Sequence, residues 1–228
     1  MTEPTETRRI IEARWALAAR HPMHFGLSFV NTIDSHAPSG TEPVRPFPIE
    51  RPHLMWLTRL WLANPLMFVP KSRQVMATWW ASMICAWCVL FRRGQLLFQQ
   101  SKKLEDAVGD EWTGDGLLGR TKCILQHIPC QDWLIPRRSI VIAAESILVR
   151  HTRSRIEPLP EGGDQIRSHT ASGVVTDETS LQPGFSDALQ AVMSSVRRGW
   201  WIGLTTPRLK DGGASLRLAK DMEEGQAE

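Results

Sequence analysis

Three short segments carry side chains whose types and spacing could handle a phosphorylated substrate. The first is LMFVPKSRQVMATWW, residues 66–80, an apolar run followed by a basic loop and an apolar helical pattern. A loop between a buried strand and a helix start exposes backbone N–H groups and the positive helix end, and both attract phosphate. Lys71 adds a mobile cation, and Thr78 offers a hydroxyl for Mg2+. The common GxxxxGK[ST] spacing is not met, because Lys71 stands seven residues before Thr78 and neither loop glycine is present. Taken alone, the segment reads more simply as a basic surface turn. The second is ASGVVTDET, residues 171–179, an apolar strand ending in two acids. Asp177 is placed to hold a Mg2+ shell and Glu178 to orient and polarise a water. The same TDET reads equally as the acidic start of a helix. The third is WWIGLTTP, residues 200–207, where Thr205 and Thr206 could sense a terminal phosphate or simply end a strand before a proline turn. Together the three stand in the order and context that nucleotide hydrolysis needs.

The elements that must position these groups are legible from apolar runs and from Pro and Gly punctuation. Helical patterns are expected within Arg9–Arg20, Leu54–Ala63, Thr78–Phe91, Lys102–Asp110, Leu117–His127 and Phe185–Val196. Strands are expected at Leu66–Val69, Gln95–Gln99, Ser139–Ala143, Ile147–Arg150, Gly173–Thr176 and Trp200–Leu204. His36–Pro52 is rich in proline and reads as a loop or extended lead-in, and Pro158–Gly163 as a turn cluster. Strands alternating with helices imply βαβ units: an α/β fold with a mainly parallel sheet flanked by helices on both faces. Ligands bind such sheets beyond the carboxyl ends of the strands, where Lys71, Asp177–Glu178 and Thr205–Thr206 all fall.

Composition limits the alternatives. The 228 residues are 42% hydrophobic and 22% charged, which excludes a disordered, collagen-like or coiled-coil chain. A net charge of +3 is compatible with a nucleic-acid partner without requiring one. The start, MTEPTETRRIIEAR, is charged and is not followed by the apolar region of a secretory signal. The longest uncharged apolar stretch, Val75–Phe91, falls short of the roughly 20 residues of a membrane span and reads as a buried core helix, so no membrane role is expected. Cys85 and Cys88 form a CxxC that Cys123, His127 and Cys130 could complete as a zinc set on paper. The first pair lies inside the apolar helix pattern, and buried thiols acting as small hydrophobes are the expected outcome.

PKSRQVMATW, GVVTDETSLQPGFSDAL and WIGLTTP together resemble three motifs of the large subunit of tailed-phage terminases, the DNA-packaging motor. They are similar to its variant Walker A, whose lysine sits early in the loop, its Walker B with the following helix, and its coupling motif. HPMHFGLSFVNTID, VRPFPI, LLFQQSKKLEDA and LPEGGDQIRSHTASG extend the likeness over about residues 20–208.

The resemblance implies a P-loop NTPase of the additional-strand, catalytic-glutamate type, using ATP and Mg2+. By position it assigns the nucleotide-binding loop to Lys71, Ser72, Arg73, Gln74, Val75, Met76, Ala77 and Thr78. Thr78 and Asp177 would organise the metal, Glu178 would be the catalytic carboxylate, and Thr205 and Thr206 would couple hydrolysis to movement. Arg73 and Arg167 are candidates for an arginine aimed at the terminal phosphate, and Phe47 and Pro48 for a wall beside the adenine. The implied partners are double-stranded viral DNA, a portal protein, a small terminase subunit and further copies of the chain in a ring, in the host cytoplasm. The expected organisation is a lead-in over 1–52, an ATPase core over 53–208 and a polar tail over 209–228. The family's nuclease domain is not expected, since only 208–228 follow Pro207. Met76 departs from the pattern, standing where many relatives have glycine. The alternative is a truncated, non-catalytic terminase-like module that binds partners or DNA without turnover.

Overall fold

A computed structural model describes residues 6–34, 36–160, 170–179 and 199–206. The helix expected over 185–196, Arg167 and the tail over 209–228 lie outside these residues. Two helices open the chain: α1 (Glu6–Arg20) and α2 (Pro22–Phe29). A small antiparallel pair follows, β1 (Asn31–Ile33) with β2 (Val44–Pro46), then α3 (Pro52–Ala63). The rest is β3 (Leu66–Pro70), α4 (Ala77–Phe91), β4 (Leu96–Gln100), α5 (Leu104–Val108), α6 (Leu117–Gln126), α7 (Gln131–Leu134), β5 (Ile140–Ala143), β6 (Ser146–Val149), β7 (Ser154–Leu159), β8 (Gly173–Thr176) and β9 (Trp200–Thr205).

The seven-stranded sheet runs β3-β9-β8-β4-β7-β6-β5. The strands from β3 to β7 in this order are mutually parallel; β6 and β5 continue it as an antiparallel edge. The last of the described strands thus lies between β3 and β8. Pairing of Pro70 with Thr205 and of Thr176 with both Gly203 and Gln100 brings the carboxyl ends of β3, β9, β8 and β4 to one rim.

Helix α4 holds the centre. Thirteen of its fifteen residues, Ala77 and Trp79–Leu90, are buried, so it is apolar all round, as a helix surrounded by protein must be. Among the described residues no helix is long and apolar enough to cross a membrane. Phe25 and Phe29 of α2, with Phe47 and Ile49, belong to the same core as α4. Cys85 and Cys88 face into it. Burial drives both thiols up, Cys88 to about 12, and among the described residues no group of three or more His, Cys, Asp or Glu side chains is placed to hold a metal ion.

Several elements differ from the sequence reading. The lead-in over His36–Pro52 contains β2, whose partner β1 is 13 residues away at Thr32–Arg45. The turn cluster gives up Pro158 and Leu159 to β7. Proline lacks a ladder donor and belongs where a neighbouring strand has ended. Here β6 pairs β7 only over Ser154–Ile156, and Pro158 lies beyond that pairing.

Candidate functional site

The site grows from the turn between β3 and α4. Proline at 70 closes β3, and the Lys71 N–H donates to Thr205 O at 2.8 Å, which fixes the start of the loop to the end of β9. Residues 71–76 then turn into α4 through two left-handed residues, Gln74 (φ 62°) and Met76 (φ 62°, ψ 9°). A side chain in this region costs about 1–2 kcal/mol against right-handed backbone. The loop therefore takes a glycine-like path without glycine. The His53 ring nitrogen lies 3.0 Å from Val75 O and steadies the turn from α3.

Across the rim, β8 ends in Thr176 and the acidic doublet follows. The Asp177 N–H donates to Gln100 O at 2.9 Å, and the Thr179 hydroxyl donates to Leu204 O at 2.6 Å, tying the segment to β4 and β9. Glu178 is left-handed (φ 52°), and its N–H donates to Asp177 Oδ1 at 2.9 Å. Of the six described non-glycine residues with positive φ, three (Gln74, Met76 and Glu178) lie at this one rim. Such strain gathers where the surroundings over-determine a local geometry, as functional sites do.

The two segments meet. Lys71 Nζ lies 3.7 Å from Asp177 Oδ1, with the side chains 13% and 15% exposed. The Thr78 hydroxyl donates to Asp177 Oδ2 at 3.3 Å. Thr205 is buried beside them at the end of β9, and Thr206 follows it, half-buried. A cavity of about 600 Å³ opens over the loop, with Lys71, Ser72, Gln74, Val75, Met76, Ala77 and Thr78 in its floor. The opposite wall comes from the lead-in, including Asp34, His36, Arg45, Pro46, Pro48 and Arg51.

Asp177, Glu178, Thr205 and Thr206 stand at the rim without lining the cavity, and two further expected residues fall elsewhere. Arg73 is exposed and does not line the cavity. Phe47 is 3% exposed inside the core, so Pro48 alone of the expected adenine wall faces the cavity; its neighbour's ring turns inward because α2 and α4 bury it.

One residue that sequence reasoning missed does face it. Arg120, on the first turns of α6, lines the cavity with its Nε buried and without a hydrogen-bond partner. Its Nη1 donates to Gly116 O at 3.2 Å, and the guanidinium lies 5.8 Å from the Trp79 ring centre. Burial lowers its pKa from the ordinary value, while Asp177 and Asp115 act in the opposite sense. Nothing local in LLGRTKCILQ marks it; only the fold brings α6 over the rim.

The rim thus offers hard oxygen donors, Thr78 Oγ1 and the Asp177 carboxylate, beside two cations and a loop of backbone N–H groups. That donor set suits a small hard cation carried with a phosphate group. The mostly parallel seven-stranded sheet flanked by helices, with the loop-to-helix turn after β3, has the architecture of a P-loop NTPase fold.

The same architecture is found in phage large terminases. The chain superposes on the HK97 bacteriophage large terminase with a TM-score of 0.57 at 11% identity, covering 82% of this chain and 37% of that one. Against a variant of the large terminase ATPase domain of Thermus phage P74-26 the values are 0.50, 17%, 68% and 64%. Against a large terminase of a thermophilic bacteriophage they are 0.50, 12%, 71% and 38%. The chain therefore spans well under half the length of these two large terminases and just under two thirds of the ATPase domain. No family model and no curated protein matches the sequence.

Proposed function

We propose that this chain is an ATP-hydrolysing module of a phage DNA-packaging motor, working as a terminase large-subunit ATPase. The observation that carries the reading is the meeting of Lys71, Thr78 and Asp177 at one rim, beside the cavity that the loop floors. The loop N–H groups and Lys71 would cradle the β- and γ-phosphates. Thr78 and Asp177 would hold Mg2+, which supplies charge neutralisation of the phosphates when bound. Glu178 would orient a water in line with the γ-phosphorus and take its proton as ADP departs. Thr205 and Thr206 would carry the state of the site along β9, since Lys71 and Thr179 both bond to that strand's last residues. Arg167 remains the candidate for an arginine supplied across a subunit boundary.

A polyanionic partner is supported by a second surface. Arg92, Arg93, Arg150, Arg153 and Arg155 are all exposed around Gly94, at the amino ends of the strands and opposite the rim. Among the described residues, Arg155 alone of these five has an acidic partner, Glu157 at 3.2 Å. Exposed arginines match the phosphates of duplex DNA. On this reading the portal protein, a small subunit and a ring of copies complete the motor.

A second reading, a non-catalytic module of the same fold, is favoured by one observation: Met76 keeps a side chain at a left-handed position beside the cavity. ATP turnover with duplex DNA present separates the two. Glu178→Gln should retain ATP binding and lose about 100-fold or more in turnover, while Lys71→Ala should weaken binding itself. Equal background rates for the unaltered chain and Glu178→Gln would establish the non-catalytic module.

A further inference from the structure

Arg120 reaches the rim from an element that contributes nothing else to it, and the local structure holds it there. The approach to α6 is a tight loop in which the Asp110 and Asp115 N–H groups each donate to the other's carbonyl at 3.1 Å. Gly109 and Gly116 have positive φ, and a Cβ on Gly109 would come within 2.0 Å of Asp115 O. The loop is therefore closed backbone against backbone. Behind the arginine, Gln99 Nε2 donates to the Thr121 hydroxyl at 2.8 Å, and the Ser82 hydroxyl donates to Leu117 O at 3.2 Å. These bonds pin α6 to β4 and to α4, the helix that the candidate phosphate loop leads into.

A guanidinium has five N–H donors in a fixed fork and no acceptor, so a buried Nε without a partner is an unmet demand for an acceptor, and a charged oxygen meets it best. Arg120 meets this demand only in part, through Gly116 O. The residue lines the cavity floored by Lys71 and Thr78. Arg120 lines that cavity beside a second cation, Lys71, while its Nε is buried without a partner.

We propose that Arg120 is a catalytic residue of the same subunit, donating to the terminal phosphate of a bound nucleoside triphosphate and stabilising the charge that develops there. The inference rests on the nucleotide-hydrolysis reading of the rim. It makes the site complete in one respect without a neighbouring subunit: one arginine comes from within. A diphosphate, which ends short of that position, gains nothing from Arg120.

The test compares binding of a non-hydrolysable ATP analogue and of ADP, each with Mg2+, to the full chain and to Arg120→Gln and Arg120→Lys, together with ATP turnover. Arg120→Lys keeps the charge and most of the stem, so it guards against a variant that fails to fold. A hydrogen bond to a charged group implies a loss of about 10- to 100-fold in triphosphate affinity for Arg120→Gln, with ADP affinity unchanged. Turnover should fall at least as far, and Arg120→Lys should recover only part of it because it lacks the fork. Unchanged preference for triphosphate and unchanged turnover in both variants, in a chain that binds both nucleotides, would overturn the role of Arg120 and leave the site reading intact. Equal loss of ADP and triphosphate binding would also overturn it, as the mark of a structural residue. An unaltered chain that binds neither nucleotide would overturn both.

Discussion

Replacing Asp177 by Asn probes the rim before any nucleotide arrives. The change is nearly isosteric: Oδ1 can still accept the Glu178 N–H, but the amide that replaces Oδ2 no longer accepts from Thr78. Lys71, 3.7 Å away, loses its counter-charge, and Arg120 loses one of the two carboxylates that favour its charged form. Two charges about 4 Å apart attract by about 1 kcal/mol in water and about 4 kcal/mol at an effective dielectric near 20. Exposed pairs yield under about 1 kcal/mol, and breaking a fully buried pair costs roughly 3–5 kcal/mol. Side chains 13% and 15% exposed stand between these limits, and the expected loss is about 1–3 kcal/mol. For a chain of this size that is a fall of roughly 2–12 °C in Tm. Thermal unfolding of the nucleotide-free chain measures it. Adding Lys71→Met to Asp177→Asn should cost little more, because the pair is already broken, and inorganic triphosphate should restore more stability to Asp177→Asn than to the unaltered chain. A Tm within 1 °C of the unaltered protein, or full additivity of the two substitutions, would refute the coupling.

Two further outcomes follow from the frame around the site. The His21 ring caps α2 by accepting the Met23 N–H through Nδ1 at 3.2 Å, and burial, then His24, lower its pKa below 6.5. The unfolded chain takes up that proton more readily, so the contribution is present above pH 6.5 and is lost as pH falls through and below it. His21→Asn, which caps without titrating, should flatten the fall in Tm between pH 7 and 5. Gly203 lies on β9 with its missing Cβ only 2.3 Å from the Trp201 ring, so Gly203→Ala should destabilise the strand by about 1–3 kcal/mol, read as a lower midpoint in urea.

The parts of this fold that could be read from sequence are those whose burial is complete. GVVT and WWIGL are continuous apolar runs because β8 and β9 are interior parallel strands buried along their whole length, whereas LMFV forms the edge strand β3, partly buried, and proline on either side of that run marks its ends. Helix α4 was legible as a core helix for the same reason. What escaped depends on partners distant in the chain. SRIEPL alternates, carries two charges and contains a proline, yet it is a strand because β4 and β6 flank it. VRP pairs with NTI only because α2 sets β1 in place, and α2 itself begins behind a histidine cap that is not among the common capping residues. The site divides along the same line. Lys71, Thr78 and Asp177 sit at the ends of buried runs, where chemistry is expected in such sheets. Arg120 sits in the middle of an ordinary amphipathic stretch, and only the closure of the 109–116 loop brings it to the cavity.

The central claim is that Lys71, Thr78, Asp177 and Glu178 serve one triphosphate. A crystal structure of the full chain with Mg2+ and a non-hydrolysable ATP analogue tests it most directly. The phosphates should lie over the 71–78 loop, with the metal between Thr78 and Asp177 and the terminal phosphate within hydrogen-bonding reach of Lys71. An analogue seated instead in the cavity at the opposite edge of the sheet, lined by Trp61, Arg92 and Trp200, would contradict the account.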